Sequence, residues 1–279
     1  MKTLLLAVAI AVLVMAGLAV VAWLGQERII FQPPAVLPPE TLAIRRLEFR
    51  ADDGTPLFAY VVGDDHAAKD SGLVIHFHGN AEIAAWEIPW AEELARRTGL
   101  AVLIPEYRGY SGIPGRPSYV ALGRDALAAW RAAQAELGAV PGRTVLHGFS
   151  LGSAIAAEAA ATISARALVL EAPFTSAEAM AARSGPLFRG PLWRLIGRVH
   201  YDTRAVVGRI DARVSVAQGA ADRIVPPAMG REVFAAARRK GEYLSIAGAD
   251  HNDMRDGAGY WEWLVRAVGV PPGPTRGTP

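Results

Sequence analysis

The sequence predicts an α/β fold in which a mostly parallel central sheet is covered by helices on both faces. Strand-like segments alternate with stretches that have the helical spacing of apolar residues, and the later strands are continuously apolar. Continuously apolar strands separated by helices are typical of a parallel sheet that is buried on both faces. The chain has 279 residues, 52% of them hydrophobic, which is enough for one such domain with a large core.

An uncharged apolar run precedes this domain and extends from Leu4 to Leu24. A helix of that length, at about 1.5 Å per residue, crosses a hydrocarbon core of about 30 Å. We therefore predict a transmembrane anchor over residues 1–25, with a signal peptide cleaved near Ala22 and a buried helix of a soluble protein as the alternatives. The positive charges of Lys2 and the amino terminus favour a single-pass protein of a bacterial inner membrane with the body of the protein outside the cytoplasm.

Four prolines indicate an extended linker over residues 26–41, and the body of the protein is expected over residues 42–269. The stretch 174–211 is too long for an ordinary connection and predicts a lid-like insertion, and the tail 270–279 is expected to be disordered. Helices are predicted over 81–97, 119–137 and the residues after 150. Strands are predicted over residues 44–50, 57–62, 73–77, 100–106, 143–148, 167–172, 213–218 and 242–248.

Charge and cysteine content exclude several classes of function. The formal net charge is +2, and no clustered basic face of the kind that binds nucleic acid is evident, so no nucleic-acid partner is expected. The chain has no cysteine, which excludes disulfides and thiolate metal sites. No feature of the sequence specifies an oligomeric state.

The segment "LHGFSLGSA" carries the pattern G-x-S-x-G at Gly148, Ser150 and Gly152. A predicted strand ends just before the serine and a helical stretch rich in small residues follows, which is the order that a nucleophile elbow requires. In such an elbow the residues two before and two after the nucleophile must lack side chains, because strand and helix pass close together. The alternative is an ordinary tight turn.

A serine hydroxyl needs a base within hydrogen-bond reach and a third group that orients the base. Asp222 follows one predicted strand in "GAADRIVP", and His251 follows the next in "GADHND". The chain order Ser150, Asp222, His251 is the order associated with the elbow motif, so these three are the candidate catalytic residues. Glu171 also lies at a strand end and is the alternative acid.

The segment "HFHGNAE" is the candidate oxyanion loop. One oxyanion donor is expected from the backbone N–H of Leu151, directly after the serine, and another from the backbone N–H of Asn80. These contacts need no side chain, so the side chain of Asn80 is expected to be dispensable. His76 and His78 offer a metal site as an alternative, but no third ligand lies at a recognisable spacing, so no metal is predicted. The remaining histidines are expected to be core or surface residues: His66, His147 and His200.

Six blocks of the sequence are characteristic when taken together: "HFHGNAE", "PEYRGYSGIPGRPS", "GFSLGSA", "LEAPFTS", "GAADRIVPP" and "GADHND". In this combination they resemble the α/β-hydrolase superfamily. Within it they are similar to the membrane-associated BEM46-like group and to the related alpha/beta hydrolase domain-containing proteins 13 and 17. The resemblance covers about 44–268 and implies the α/β-hydrolase fold, the triad Ser150, Asp222 and His251, and an oxyanion loop at Asn80. Glu106 stands where the family usually has aspartate, and Ser111 stands where it commonly has glycine. Both positions lie off the triad, so these departures bear on substrate shape more than on catalysis.

The predicted activity is hydrolysis of carboxylic esters or thioesters through an acyl-enzyme, without a cofactor. Hydrophobic residues and arginines interleave over 185–201, a pattern suited to covering an apolar cleft or contacting anionic lipid, although an ordinary packed helix would share it. With the anchor, this favours a lipid-like or acylated substrate. The expected partners are the acyl substrate and, through the N-terminal helix, membrane lipid. The alternatives are an amidase or peptidase on the same triad and a catalytically inactive membrane-tethered binding module.

Overall fold

The computed structural model describes residues 2–39, 43–64, 66–183, 185 and 190–269. One sheet of eight strands runs through the body, in the spatial order β1-β2-β4-β3-β5-β6-β7-β8. The first three strands of this order pair antiparallel and all later neighbours pair parallel. The strands are β1 (Arg45–Arg50), β2 (Pro56–Val62), β3 (Leu73–Phe77), β4 (Ala101–Pro105), β5 (Thr144–Phe149), β6 (Ala167–Glu171), β7 (Arg213–Gly219) and β8 (Lys240–Ile246).

Helices cover both faces of the sheet, as predicted. The core on one face contains residues of α4, α5, α8 and α9, and the core on the other contains residues of α3 and α10. The central strands are buried on both sides because each face packs against helices. The helices are α1 (Lys2–Ile30), α2 (Ala67–Asp70), α3 (Ile88–Thr98), α4 (Tyr119–Leu137), α5 (Leu151–Ala160), α6 (Ala177–Ala181), α7 (Pro191–Ile196), α8 (Thr203–Val207), α9 (Pro227–Ala236) and α10 (Tyr260–Ala267).

The predicted strands all occur, with ends that differ by a few residues, and α4 has the predicted bounds. The helix predicted over 81–97 begins later, because a 3₁₀ turn at Ala84–Glu87 precedes α3. Ala81 has a φ of 57°, which a right-handed helix excludes. Pro89 lies in the first turn of α3, where its missing N–H leaves no helical hydrogen bond unmade.

The N-terminal apolar run forms α1, which is long and apolar enough to cross a membrane. Its window of highest hydropathy is not buried against the body, unlike the buried helix considered as an alternative. The extended linker predicted from residue 26 is wrong in its first part, because α1 continues to Ile30. No proline occurs before Pro33, so nothing forces the helix to end earlier. Phe31, directly after α1, is buried in the core, so this segment packs against the body.

In the described residues of the lid-like insertion predicted over 174–211, the chain forms three short α-helices, α6, α7 and α8. Trp193, Val199 and Tyr201 within it are buried. Several parts of the predictions lie outside the described residues: residue 1 of the anchor, residues 40–41 of the linker, residues 42 and 65 of the body, residues 184 and 186–189 of the insertion, and the tail 270–279.

Candidate active site

Ser150 lies at a sharp turn between β5 and α5, with φ 52° and ψ −115°. Positive φ is costly for a residue with a Cβ atom, so the surrounding backbone must hold it in place. The Ser150 N–H donates to the Glu171 carbonyl of the adjacent strand at 2.9 Å, and the Ser153 hydroxyl donates to the Ser150 carbonyl at 2.6 Å. The strained turn therefore holds the Ser150 side chain at the carboxyl end of the parallel strands.

The two elbow glycines are required by close backbone contacts. A Cβ atom on Gly148 would lie 2.1 Å from the carbonyl oxygen of Gly152. A Cβ atom on Gly152 would lie 1.9 Å from the carbonyl oxygen of Phe77 in β3. Neither contact is tolerable, so the G-x-S-x-G spacing follows from how closely α5 packs against β3 and β5.

The structure brings the three predicted catalytic residues into one hydrogen-bonded chain. His251 Nε2 lies 3.0 Å from Ser150 Oγ, and His251 Nδ1 lies 2.8 Å from Asp222 Oδ2. His251 and Asp222 are buried, and the Phe149 ring packs against the imidazole with 5.0 Å between ring centroids. This geometry matches a nucleophile, a base and an orienting acid.

Asp222 is positioned by three further donors. Its Oδ1 accepts the backbone N–H groups of Ile224 and Val225 at 2.9 and 2.8 Å, and its Oδ2 accepts the Gln218 side-chain amide at 2.8 Å. With His251 Nδ1 these donors give the buried carboxylate four hydrogen bonds, which compensate for its desolvation. The orienting role of Gln218 was not predicted, because a glutamine inside a strand carries no recognisable signal.

Glu171, the alternative acid, does not contact His251. Its carboxylate lies 3.0 Å from His147 Nε2, accepts the Arg255 Nε–H at 2.9 Å and accepts the Tyr260 hydroxyl. Burial raises its pKa, but the charges of Arg255 and His147 outweigh burial and bring it to about 2. The arrangement therefore favours Asp222 as the triad acid.

His76 and Glu87 extend this cluster behind the elbow. His76 Nδ1 lies 2.7 Å from His147 Nδ1, and its Nε2 lies 2.8 Å from Glu87, which accepts a hydrogen bond from Arg255 at 2.6 Å. Burial lowers the pKa of His76 to about 4, although Glu87 opposes the change. We call His76, Glu87, His147, Glu171 and Arg255 the rear network.

The candidate oxyanion loop, residues 78–80, is held by side chains from outside it. The Tyr107 hydroxyl donates to the His78 carbonyl at 2.8 Å, and the Gly79 N–H donates to the Glu82 carboxylate at 2.7 Å. His78 Nε2 lies 3.0 Å from Glu106 Oε1. Burial lowers the pKa of His78, but the hydrogen bond and charge of Glu106 outweigh burial and raise it.

The two departures from the family pattern are in contact with each other. The Ser111 hydroxyl donates to Glu106 Oε2 at 2.6 Å, and Ser111 has a φ of 48°, where glycine is normally preferred. Glu106 is fully buried and also accepts the Ala84 N–H at 3.0 Å. Both residues therefore lie behind the oxyanion loop and not in the cavity described below.

An apolar cavity of about 320 Å³ opens at Ser150. The lid-like insertion supplies much of its wall, and Ile30 at the end of α1 contributes as well. A volume of this size fits a small ligand or an acyl chain. The lining residues are Ile30, Asn80, Ser150, Leu151, Phe174, Ala177, Met180, Ala181, Trp193, Val199, Tyr201, Ile224 and Val225.

A second cavity of about 120 Å³ reaches His251 and is mainly polar. Glu82, Glu87 and Arg255 line it together with Asn252. Burial, together with the nearby charge of Glu87, raises the pKa of Glu82. This cavity is large enough for water molecules and offers them several polar partners.

Among the described residues, the other histidines do not contact Ser150, and only His76 and His147 contact each other. His76 and His78 lie in different networks, His147 is buried, and His66 and His200 are exposed. Within the ranges that the structure describes, no group of three or more histidine, cysteine, aspartate or glutamate residues is arranged to hold a metal ion.

Comparison with protein families matches residues 73–274 to the model of the alpha/beta hydrolase family. An uncharacterized protein of Mycobacterium tuberculosis is 35% identical, over 88% of this chain and 87% of its own length. Protein bem46 of Schizosaccharomyces pombe is 26% identical, over 79% of this chain and 75% of its own. Human alpha/beta hydrolase domain-containing protein 17B is 25% identical, over 68% of this chain and 64% of its own. The predicted resemblance is confirmed.

Among solved structures, the esterase Pf2001 of Pyrococcus furiosus is similar with a TM-score of 0.67 and 17% identity. The match covers 86% of this chain and 98% of that chain. At this identity the similarity shows the fold, which agrees with the predicted α/β-hydrolase architecture.

Proposed function

The chain belongs to the alpha/beta hydrolase family, and from that premise we propose that it is a serine hydrolase of carboxylic esters or thioesters. The observation that carries the proposal is the hydrogen-bonded chain from Ser150 Oγ through His251 to Asp222, which borders an apolar cavity. The similarity to a protein named as an esterase supports ester hydrolysis as the reaction class.

In the first half of the reaction, Ser150 Oγ attacks the acyl carbonyl carbon while His251 Nε2 takes the hydroxyl proton. Asp222 accepts the Nδ1–H of His251 and stabilises the imidazolium. The backbone N–H groups of Asn80 and Leu151 donate to the oxyanion, and Leu151 is suited to this as the first residue of α5. Collapse of the intermediate breaks the bond to the alcohol or thiol, which leaves with the proton held by His251.

In the second half, a water molecule attacks the acyl-enzyme while His251 takes one of its protons. The tetrahedral intermediate collapses to the carboxylic acid, and the proton returns from His251 to Ser150 Oγ. We assign the 120 Å³ cavity beside His251 as the source of this water, because its polar lining can hold water next to the base.

We propose a lipid-like or acylated substrate. The cavity at Ser150 has apolar walls from the lid-like insertion, which favour an aliphatic chain over a polar acyl group. Ile30 lines the same cavity, and it lies only six residues beyond the predicted apolar run that ends at Leu24. At about 1.5 Å per residue, this separates the cavity wall from the end of that run by about 9 Å.

Labelling and chain-length preference test the activity. A fluorophosphonate probe is expected to label the full chain and the matched control Ser71→Ala, in which an exposed serine is changed, but not Ser150→Ala. Hydrolysis of nitrophenyl esters and thioesters is expected to be fastest for medium or long acyl chains. Equal labelling of Ser150→Ala would refute the serine mechanism. Equal rates for all chain lengths would refute the lipid-like substrate, and faster amide than ester cleavage would indicate an amidase.

We propose that α1 anchors the protein in a bacterial inner membrane with the catalytic domain outside the cytoplasm. Trp23 near the end of the apolar run stacks with the Arg198 guanidinium at 4.7 Å, a pairing suited to a membrane–water interface. Because the chain lacks cysteine, Asp70→Cys introduces one exposed thiol. A membrane-impermeant maleimide is expected to label it in intact cells; labelling only after lysis would reverse the orientation.

A further inference from the structure

The side chain of Asn80 connects the oxyanion loop to the end of α1. Its Nδ2 donates to the Ile30 carbonyl at 2.6 Å. Its Oδ1 accepts the Gln32 N–H at 3.0 Å and the Tyr110 hydroxyl at 2.9 Å. The amide thus uses both lone pairs of its oxygen and one of its two N–H donors. We call these three hydrogen bonds the Asn80 bridge.

The chemistry of the bridge requires an amide. Ile30 is the last residue of α1, and the last four carbonyls of a helix have no partner inside the helix. Asn80 Nδ2 therefore caps α1 from fifty positions further along the chain. The helix C-terminus carries partial negative charge, so an aspartate would place an anion against it. Alanine would leave the Ile30 carbonyl, the Gln32 N–H and the Tyr110 hydroxyl without this partner.

The end of α1 also contacts the lid-like insertion that covers the apolar cavity. The Gln26 side chain donates to the Ile196 carbonyl at 2.6 Å and accepts the Arg198 N–H at 2.9 Å. Glu27 forms an ion pair with Arg198 at 3.2 Å. The last two turns of the helix thus touch the lid, while its final residue touches the oxyanion loop.

We propose that Asn80 is a positioning residue whose side chain holds its own backbone N–H in the correct position relative to Ser150. The end of the N-terminal helix thereby helps to position the oxyanion donor of the active site. The inference rests on the proposed serine hydrolase function. Because the Asn80 amide and backbone N–H share one Cα atom, the hydrogen bonds to Ile30 and Gln32 restrict where the oxyanion donor can lie. The Asn80 side chain, which the sequence alone predicts to be dispensable, is therefore needed for turnover.

Three variants of the full chain in lipid nanodiscs test the proposal: Asn80→Ala, Asn80→Asp and Tyr110→Phe. Tyr243→Phe is the matched control, because Tyr243 lies in β8 and does not line the cavity at Ser150. Loss of a complete oxyanion donor lowers kcat by about 10²- to 10³-fold. We expect about a 30-fold loss of kcat for both Asn80 variants, about threefold for Tyr110→Phe and none for the control, with KM within about twofold.

Two measurements separate positioning from loss of folded protein. Burst titration with an activated ester counts active sites, and kcat per titrated site is expected to fall. The affinity of a trifluoromethyl ketone, whose adduct places an oxyanion in the same hole, is expected to fall by the same factor as kcat/KM. A smaller site count with unchanged kcat per site would overturn the proposal, as would wild-type activity in Asn80→Asp.

Amide hydrogen exchange tests the connection to α1. A phosphonate on Ser150 is expected to slow exchange of the Gln32 amide in the wild-type chain but not in Asn80→Ala, because the bridge transmits the constraint. Equal exchange with and without the phosphonate in the wild-type chain would overturn the coupling. These failures differ from failure of the proposed function, in which the wild-type chain neither hydrolyses esters nor reacts with the phosphonate.

Discussion

The His251–Asp222 pair and the His147–Glu171 pair have the same histidine–carboxylate contact but different neighbours. Each joins an imidazole nitrogen to a buried carboxylate, at 2.8 and 3.0 Å. The second ring nitrogen of His251 faces Ser150 Oγ, whereas that of His147 faces His76. The two pairs therefore differ in the partner of the second imidazole nitrogen and not in the histidine–carboxylate contact itself.

The rear network lies behind the elbow and contacts it through Arg255. Arg255 donates to both Glu87 and Glu171 and stacks near Phe149, the residue before Ser150, at 5.2 Å. The rear network thus places the Arg255 charge, which is paired with the carboxylates of Glu87 and Glu171, next to the strained turn at Ser150. We assign the reaction to the His251–Asp222 pair and stability to the rear network, and variants of each should change one property without the other.

Asp222→Asn is expected to have the largest effect, a loss of about 10⁴-fold in kcat. An amide cannot stabilise the imidazolium and can hold His251 in the wrong tautomer. Folding should change little, because the Asn oxygen can still accept the Ile224 and Val225 N–H groups. Steady-state kinetics with a nitrophenyl ester measure the effect against the exposed control Asp70→Asn. A loss below tenfold would remove Asp222 from the triad.

Glu171→Gln is expected to lower the free energy of unfolding by about 3–5 kcal/mol, because it breaks a buried ion pair and leaves Arg255 with less compensation. The value of kcat per titrated site should stay within about threefold of wild type, since the carboxylate does not contact His251. Urea unfolding in detergent, with exposed Glu92→Gln as control, and active-site titration measure the two quantities. A large loss of kcat at full stability would make Glu171 part of the reaction.

Stability is expected to decline as the pH falls from about 6.5 toward 4, because of His76. Its pKa is about 4 in the folded protein against 6.5 in the unfolded chain, so the unfolded state binds the extra proton in this interval. The contribution of this pKa difference to the free energy of unfolding is fully present above pH 6.5 and amounts to about 3 kcal/mol. His76→Gln should be less stable at neutral pH but should lack most of this decline. An unchanged pH profile of the unfolding free energy in His76→Gln would contradict the assignment.

Ser111→Gly is expected to have the smallest effect, a destabilisation of about 1 kcal/mol or less. The variant loses a hydrogen bond to the Glu106 carboxylate but relieves the positive φ, and the two terms oppose each other. Ser111→Ala loses the hydrogen bond without relieving the backbone and should be less stable than Ser111→Gly. Thermal unfolding measures both variants, and the reverse order would show that the backbone strain is negligible.

Ser111 and Glu106 also bear on substrate choice. From the sequence we expect these departures to bear on substrate shape, whereas the structure places their hydrogen bond behind the oxyanion loop. We therefore expect the chain-length preference of Ser111→Gly to match that of the wild-type chain. A shifted preference would support the sequence-based expectation.

Local sequence signals predict much of the architecture. Apolar strands, helical periodicity and the spacing of Gly148, Ser150 and Gly152 place the sheet, α4 and the elbow correctly, because each depends on backbone geometry and burial within a short segment. The same signals fail where distant segments meet. The end of α1 lies beyond the predicted linker boundary, and its packing partner Asn80 is fifty residues away.

By itself the sequence determined the fold class, the family and the three candidate catalytic residues at strand ends, because periodicity and short motifs encode them locally. Only the tertiary structure placed the Asp222 carboxylate against His251 and the Glu171 carboxylate against His147, joined Glu106 to Ser111, and brought the end of α1 to the oxyanion loop. The physical reason is that a hydrogen bond depends on distances of about 3 Å between atoms, and folding sets those distances across tens to hundreds of residues. His251 and Ser150, 101 positions apart in the chain, acquire their contact in this way.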